Sequence, residues 1–184
     1  MHLTQRQIQH LFLRAGFGIS YEALQTYKGR SAEAIVDEIF KKSEIPAYLQ
    51  LAEKYDFIPL AQSSPDANQL FLERSMKMIM KLNAAWLKSM AAFEGNIREK
   101  MTFFWHGHFA STSGNAYLVQ QQNNLIRKHA LGNFGDLLRL VSKDAVMLQY
   151  LNNQQNREGA PNENFAREVM ELFTLGRGHY TEQD

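Results

Sequence analysis

Three features of the 184-residue chain predict an all-α fold. Apolar residues recur at helical spacing in segment after segment, Ser, Thr, Asn or Asp starts and Gly or Pro stops bracket those segments, and no stretch alternates long enough for a strand. The expected architecture is a multi-helix globular bundle of about eight to ten helices around one long central helix. Hydrophobic residues at 45% and aromatics at 11% supply a core without cross-links, which excludes a disordered chain.

The first helix opens with a capping box, Thr4 with Gln7, sets Ile8, Leu11, Phe12 and Ala15 on one face, and stops at Gly16. Ser20 and Ser31 are N-caps of two shorter helices, the earlier one closed by Gly29. Pro46, Pro59 and Pro65 bracket a stretch in which residues 47–55 are expected to be helical and 58–64 a connection. Ser64 followed by Pro65 starts the long helix, whose spacing runs to Phe93, ahead of Gly95. At about 100° per residue, Phe71, Leu72, Met78, Ile79, Leu82, Ala85, Trp86, Met90 and Phe93 fill an apolar arc wider than half the helix. That width predicts the most buried helix of the molecule. Glu73, Arg74, Lys77, Lys81 and Lys88 form its polar stripe, read as a solvated face with a Glu73–Lys77 pair in preference to a basic binding surface. Met76, Met78 and Met80 are read as core filler.

Asn96 with Glu99 makes a second capping box, for a helix through Ile97, Met101, Phe104 and Trp105. Beyond a loop at 111–115, a helix over 116–131 ends at Gly132, shorter helices over 135–143 and 144–153 follow, and the last complete helix covers 163–175 before Gly176. Thr181, Glu182, Gln183 and Asp184 read as an N-cap and first turn. Residues 1–184 are therefore expected to be a single all-α unit, the N-terminal part of a longer domain truncated after Asp184.

Lys+Arg number 20 against 19 Asp+Glu, a formal charge of +1, which argues against a partner held by neutralising many phosphates, so no nucleic acid is expected. The absence of cysteine excludes disulfides, thiolate nucleophiles and Cys-ligated metals, so a catalytic metal would have to be held by His and carboxylates. No apolar run approaches the about 18 residues of a transmembrane segment. The opening residues, interrupted by Arg6, His10 and Arg14, contain no signal-peptide core, and localisation stays open.

Five residues are candidates for chemistry. His106 and His108 flank Gly107; at i, i+2 they lie about 200° apart on a helix but on one side of an extended segment. A helix ending early at Gly107 would bring both imidazoles onto one metal or substrate. A continuing helix would set His108 in the core beside Met101 and Phe104 and leave His106 exposed beside Thr102. His129 falls in the apolar arc of its helix beside Gln122, which predicts a buried imidazole with a hydrogen-bond partner. Glu168 lies within the apolar arc of the last helix and Glu171 at its edge. A carboxylate so placed pairs with a cation such as Arg98, Arg127 or His129, binds metal, or stays neutral. In the functional reading, Glu168 and His129 are the acid/base groups, while His106, His108 and Glu171 are ligands to a divalent metal; the cofactor is otherwise unknown. The amides between Asn152 and Asn164 would either bind a sugar or anion or cap their own turns. No Gly-x-Ser-x-Gly elbow, phosphate-binding Gly-Lys-Ser/Thr loop, dinucleotide fingerprint or His-Glu-x-x-His helix is present.

Four segments in order, HLFLRAGFG (10–18), REKMTFFWHGHFAST (98–112), RKHALGNFGDLLRLVSKDAVMLQYLNNQQN (127–156) and GAPNENFAREVMELFTLGRGHYTEQD (159–184), resemble the bacterial family known as domain of unknown function 1800. The resemblance covers almost the whole chain and is weakest between residues 43 and 96. Gly107 departs from the family pattern, which commonly has Asn between the two histidines. What the resemblance implies is a longer bacterial protein, often exported, continuing into further helices; it implies no activity and no catalytic residues. Two function classes follow. One is a helical scaffold or interaction module for an unknown protein partner, its buried His and Glu stabilising one another. The other is an enzyme or ligand-binding protein with a His/carboxylate site, metal-assisted in one form, for a polar or carbohydrate ligand.

Overall fold

The computed structural model describes residues 3–54, 64–93, 95–159 and 163–181. Among them the chain is all-α, with no strand. The helices are α1 Gln5–Ala15, α2 Tyr21–Tyr27, α3 Ala32–Lys42, α4 Pro65–Met90, α5 Ile97–His108, α6 Ala116–His129, α7 Phe134–Val141, α8 Ala145–Tyr150 and α9 Asn164–Glu168. A 3-10 turn, Asn153–Gln155, follows α8, and α9 runs directly into a π-helical stretch, Val169–Thr174.

Local chemistry sets the starts. The Thr4–Gln7 capping box is formed on both sides. Ser20, Ser31, Ser64, Asn115, Asn133 and Asp144 each accept a first-turn backbone N–H, so the donors a helix start leaves unpaired are met by short polar side chains.

Packing is organised around α6, which touches α4, α5, α7 and α8. Three apolar clusters result among the described residues. Ile8, Phe12, Leu24, Tyr27, Ile35 and Ile39 unite α1 to α3. Leu49, Ala52, Leu82 and Ala116 join the segment after α3 to α4 and α6. Phe109, Ile126, Leu137, Val141, Met147, Leu151 and Phe173 close the C-terminal half. Gly95 is fixed by both its backbone and its surroundings: φ is 71°, and a Cβ would sit 2.8 Å from Ile39 and 3.0 Å from Phe12.

Several sequence expectations are corrected. Residues 46–51 are not helical; their backbone pairs with α6 side chains, and Tyr55 lies outside the described residues, as does most of the expected 58–64 connection. The long helix ends at Met90, before Phe93. It is also not the most buried: four of its 26 residues are buried, whereas six of the 14 in α6 are. Its apolar arc exceeds what its neighbours cover, so Met76 and Met80 face outward instead of filling the core. Glu73 accepts from Gln69, and no Glu73–Lys77 pair forms. The amide-rich segment binds its own backbone, Asn156 to Asn153 and Asn164 to the Leu151 carbonyl. The expected turn at 181–184 falls almost wholly outside the described residues.

Candidate functional site

Three polar arrangements surround α5 and α6, and each takes some of the five candidate residues or their expected partners. The first is a buried lattice at the start of α5. Asn96 caps the Glu99 N–H, but the Glu99 carboxylate does not reach back to complete a capping box. It turns inward to a two-pronged pair with Arg127 of α6, Nε–Oε1 2.6 Å and Nη2–Oε2 3.1 Å, and accepts Trp86 Nε1–H of α4 at 2.7 Å. Arg127 is fully buried and also donates from Nη1 to the Asn124 side-chain oxygen. A buried charge is tolerated only when paired and hydrogen-bonded, and here both conditions are met. Beside it, Arg98 donates to four carbonyls, those of Ser43 and Glu44 beyond α3 and those of Arg127 and Lys128 in the last turn of α6. Burial holds its pKa below the ordinary guanidinium value. The cation thus sits where two helices present unpaired carbonyls.

α6 also binds the 49–52 segment through its amides. Asn124 exchanges two hydrogen bonds with the Leu49 backbone, while Gln120 accepts from Leu51 and Ala52 and donates to the Ala52 carbonyl. A groove of about 720 Å³ runs along this seam, and His129 lines it with Tyr48, Tyr117, Lys128 and Asp144. His129 is half-buried there. Burial raises the Asp144 pKa, opposed by the Met147 and Val146 N–H groups and the Gln122 amide that bind it. Asp144 is thereby explained as the cap of α8.

The helix runs through Gly107 to His108, so the two imidazoles diverge as helical i, i+2 spacing requires. His106 is not exposed as the continuing helix had suggested: it packs edge-on against Trp86 at 5.1 Å, in a small cavity also lined by Asn123, and burial lowers its pKa. His108 enters an aromatic cluster with Phe104, Trp105, Phe109, Phe134 and Phe173.

His108 and Glu168 are the two candidates the structure brings to one cavity, about 650 Å³, lined also by Ala110, Tyr150, Leu151, Leu172 and Phe173. Its wall is the π-helical stretch, in which the Leu175 N–H reaches back five residues to the Met170 carbonyl. Such stretches interrupt the i→i−4 ladder and concentrate at functional positions. His108 Nε2 lies 3.0 Å from the Phe173 carbonyl. A carbonyl only accepts, so Nε2 carries the proton and Nδ1 of the neutral ring keeps its lone pair. Glu168 touches Arg167 at 3.4 Å and is paired with none of Arg98, Arg127 and His129, the cations the sequence had offered. Glu171 is held away by Arg177 and Tyr180, which lower its pKa. Among the described residues, no three His, Asp or Glu side chains gather as metal ligands. The Glu99–Arg127 pair was missed by sequence reasoning because Glu99 fits a capping position; the signal that would have found it is Arg127, four residues beyond Asn123 and five beyond Gln122 on the inward side of α6.

The profile of the family described as "Protein of unknown function (DUF1800)" matches residues 10–184. No curated protein and no solved structure shows a significant match to the chain.

Proposed function

Because the chain belongs to the DUF1800 family, whose function is unknown, its chemistry has to be argued from its own residues, and we propose that it binds a small polar ligand in the His108–Glu168 cavity. The observation that carries this reading is the meeting, in one cavity, of a carboxylate and an imidazole whose tautomer is set by the Phe173 carbonyl. Nδ1 of His108 is then the proton acceptor and the Glu168 carboxyl the second group able to move a proton, an arrangement suited to general acid/base work on a hydroxyl or carbonyl compound. Leu151, Leu172 and Phe173 supply the apolar wall, and the volume falls within the roughly 300–1,000 Å³ of small-molecule sites. Saturation-transfer NMR with a panel of monosaccharides, disaccharides and small hydroxy acids tests it. At least one member should bind the wild-type chain and be lost in Glu168→Gln and His108→Gln. A panel that ignores the wild type, or binds both variants unchanged, contradicts the proposal.

A second reading, an interaction module, is favoured by a separate observation: large apolar side chains of α4 stay outward, Leu72, Met76, Met80 and Leu87 among them.

A further inference from the structure

The outward residues of α4 form a pattern. Taking about 100° per residue, Leu72, Met76, Met80 and Leu87 fall within an arc of about 80°, a seam about 22 Å long at 1.5 Å rise per residue. They are 42%, 58%, 66% and 65% exposed. Next to the seam, at about 140–200° on the same helix, stand Arg74, Lys77, Lys81 and Lys88, all exposed. From Arg74 to Met90 the sequence contains no acid. Among the described residues none of these four cations joins an ion pair. The preceding acid, Glu73, is engaged by Gln69.

We infer that this face of α4 docks an acidic amphipathic helix of a partner protein. The inference rests on the interaction-module reading and names its partner. A seam narrower than about 100°, with charge along one flank, is the form of a helix-to-helix contact, in which the apolar line supplies affinity and the flanking charges choose the partner. Two copies of α4 laid together would set cation against cation, so the complementary occupant carries Glu or Asp beside its apolar line. The methionines suit a surface that adapts to a partner's side chains, being flexible and polarisable.

The probe is a synthetic three-heptad peptide with Leu at its a and d positions and Glu at e and g, with a scrambled peptide of the same composition as control. Fluorescence anisotropy should show the ordered peptide binding the full chain. Affinity should fall by about tenfold in Met80→Ser/Leu87→Ser and in Lys77→Glu/Lys81→Glu. The charge-reversed variant should instead take a peptide with Lys in place of Glu. Circular dichroism should be unchanged in both, since the altered side chains are exposed. No binding by the ordered peptide, equal binding by the scrambled one, or insensitivity to Met80→Ser/Leu87→Ser overturns the inference. So does tighter association with phosphatidylglycerol-containing vesicles than with the peptide, or dimerisation of the wild type that these two substitutions abolish. In those last two cases the interaction-module reading survives with a different occupant, whereas insensitivity of every association to the substitutions removes both.

Discussion

At the first turn of α5, Arg98 and Glu99 are buried and every charge is met: the guanidinium by four carbonyls, the carboxylate by Arg127 and Trp86. At its last turn, His108 is half-buried, has one ring nitrogen bonded to the Phe173 carbonyl, and borders a cavity shared with Glu168. One helix thus carries polar groups in two different states. Fully satisfied buried charges hold three helices in register and have nothing left to offer a ligand. Partly satisfied groups beside open volume contribute little to the fold and keep hydrogen-bonding capacity for something else. The contrast predicts that the two ends respond to substitution in opposite currencies, stability at one and binding at the other.

The largest effect is expected at the buried end. Glu99→Gln keeps an acceptor for Trp86 but leaves the fully buried Arg127 without its counter-charge, which should cost about 3–5 kcal/mol in urea denaturation. Replacing Arg127 by Met in the same chain should recover part of that loss, because it removes the lone buried charge and leaves a neutral amide that still accepts from Trp86. A Glu99→Gln protein of unchanged stability would break the comparison at its stronger side. Next in size is Asn124→Ala, which releases the Leu49 backbone and one Arg127 N–H and should cost about 1–3 kcal/mol. Amide exchange at Leu49 should accelerate with it.

A smaller, pH-dependent effect is expected in the last turn of α5, on the side away from His108. Burial lowers the pKa of His106 from its ordinary 6.5, so the unfolded chain takes up this proton more readily than the folded one. The stability it protects is present above that ordinary value and is lost as pH falls toward the lowered one. Unfolding midpoints between about pH 7 and pH 5 should therefore decline less steeply in His106→Gln than in the wild type. Equal slopes would mean that the imidazole is as free to charge in the folded chain as outside it. The smallest stability change is expected for Glu168→Gln, within about 0.5 kcal/mol, because the ion pair it makes among the described residues, with Arg167, is long and half-exposed.

The same contrast separates what could be read from the sequence from what could not. Caps are local, and Thr4, Ser20, Ser31 and Ser64 start their helices where short polar residues before an apolar run say they should. Fold class was legible for the same reason. Partners distant in sequence were not. Glu99 satisfies a capping pattern, yet the attraction of a buried guanidinium 28 residues away outweighs the one terminal N–H of Asn96. Residues 47–55 read as helical in sequence, but Gln120 and Asn124 of α6 offer backbone partners to Leu49, Leu51 and Ala52. The wide arc of α4 shows how much apolar surface exists without showing how much is covered. For the site, helical-wheel reasoning placed Glu168 on an inward face, and the cavity it lines accords with that; a continuing helix likewise set His108 on the core side beside Phe104, but its hydrogen-bond partner was not legible, because a π-helical stretch, invisible in residue spacing, delivers the Phe173 carbonyl to the imidazole.

The contrast between the buried lattice at the start of α5 and the cavity that its last turn shares with Glu168 of α9 is tested most directly by urea unfolding of Glu99→Gln and Glu168→Gln side by side. The two substitutions are chemically identical, each removing one carboxylate charge. A loss of several kcal/mol for Glu99→Gln beside a near-native Glu168→Gln is the predicted result. Equal losses would make Glu168 a structural residue like Glu99 and contradict the assignment of the His108–Glu168 cavity to ligand binding.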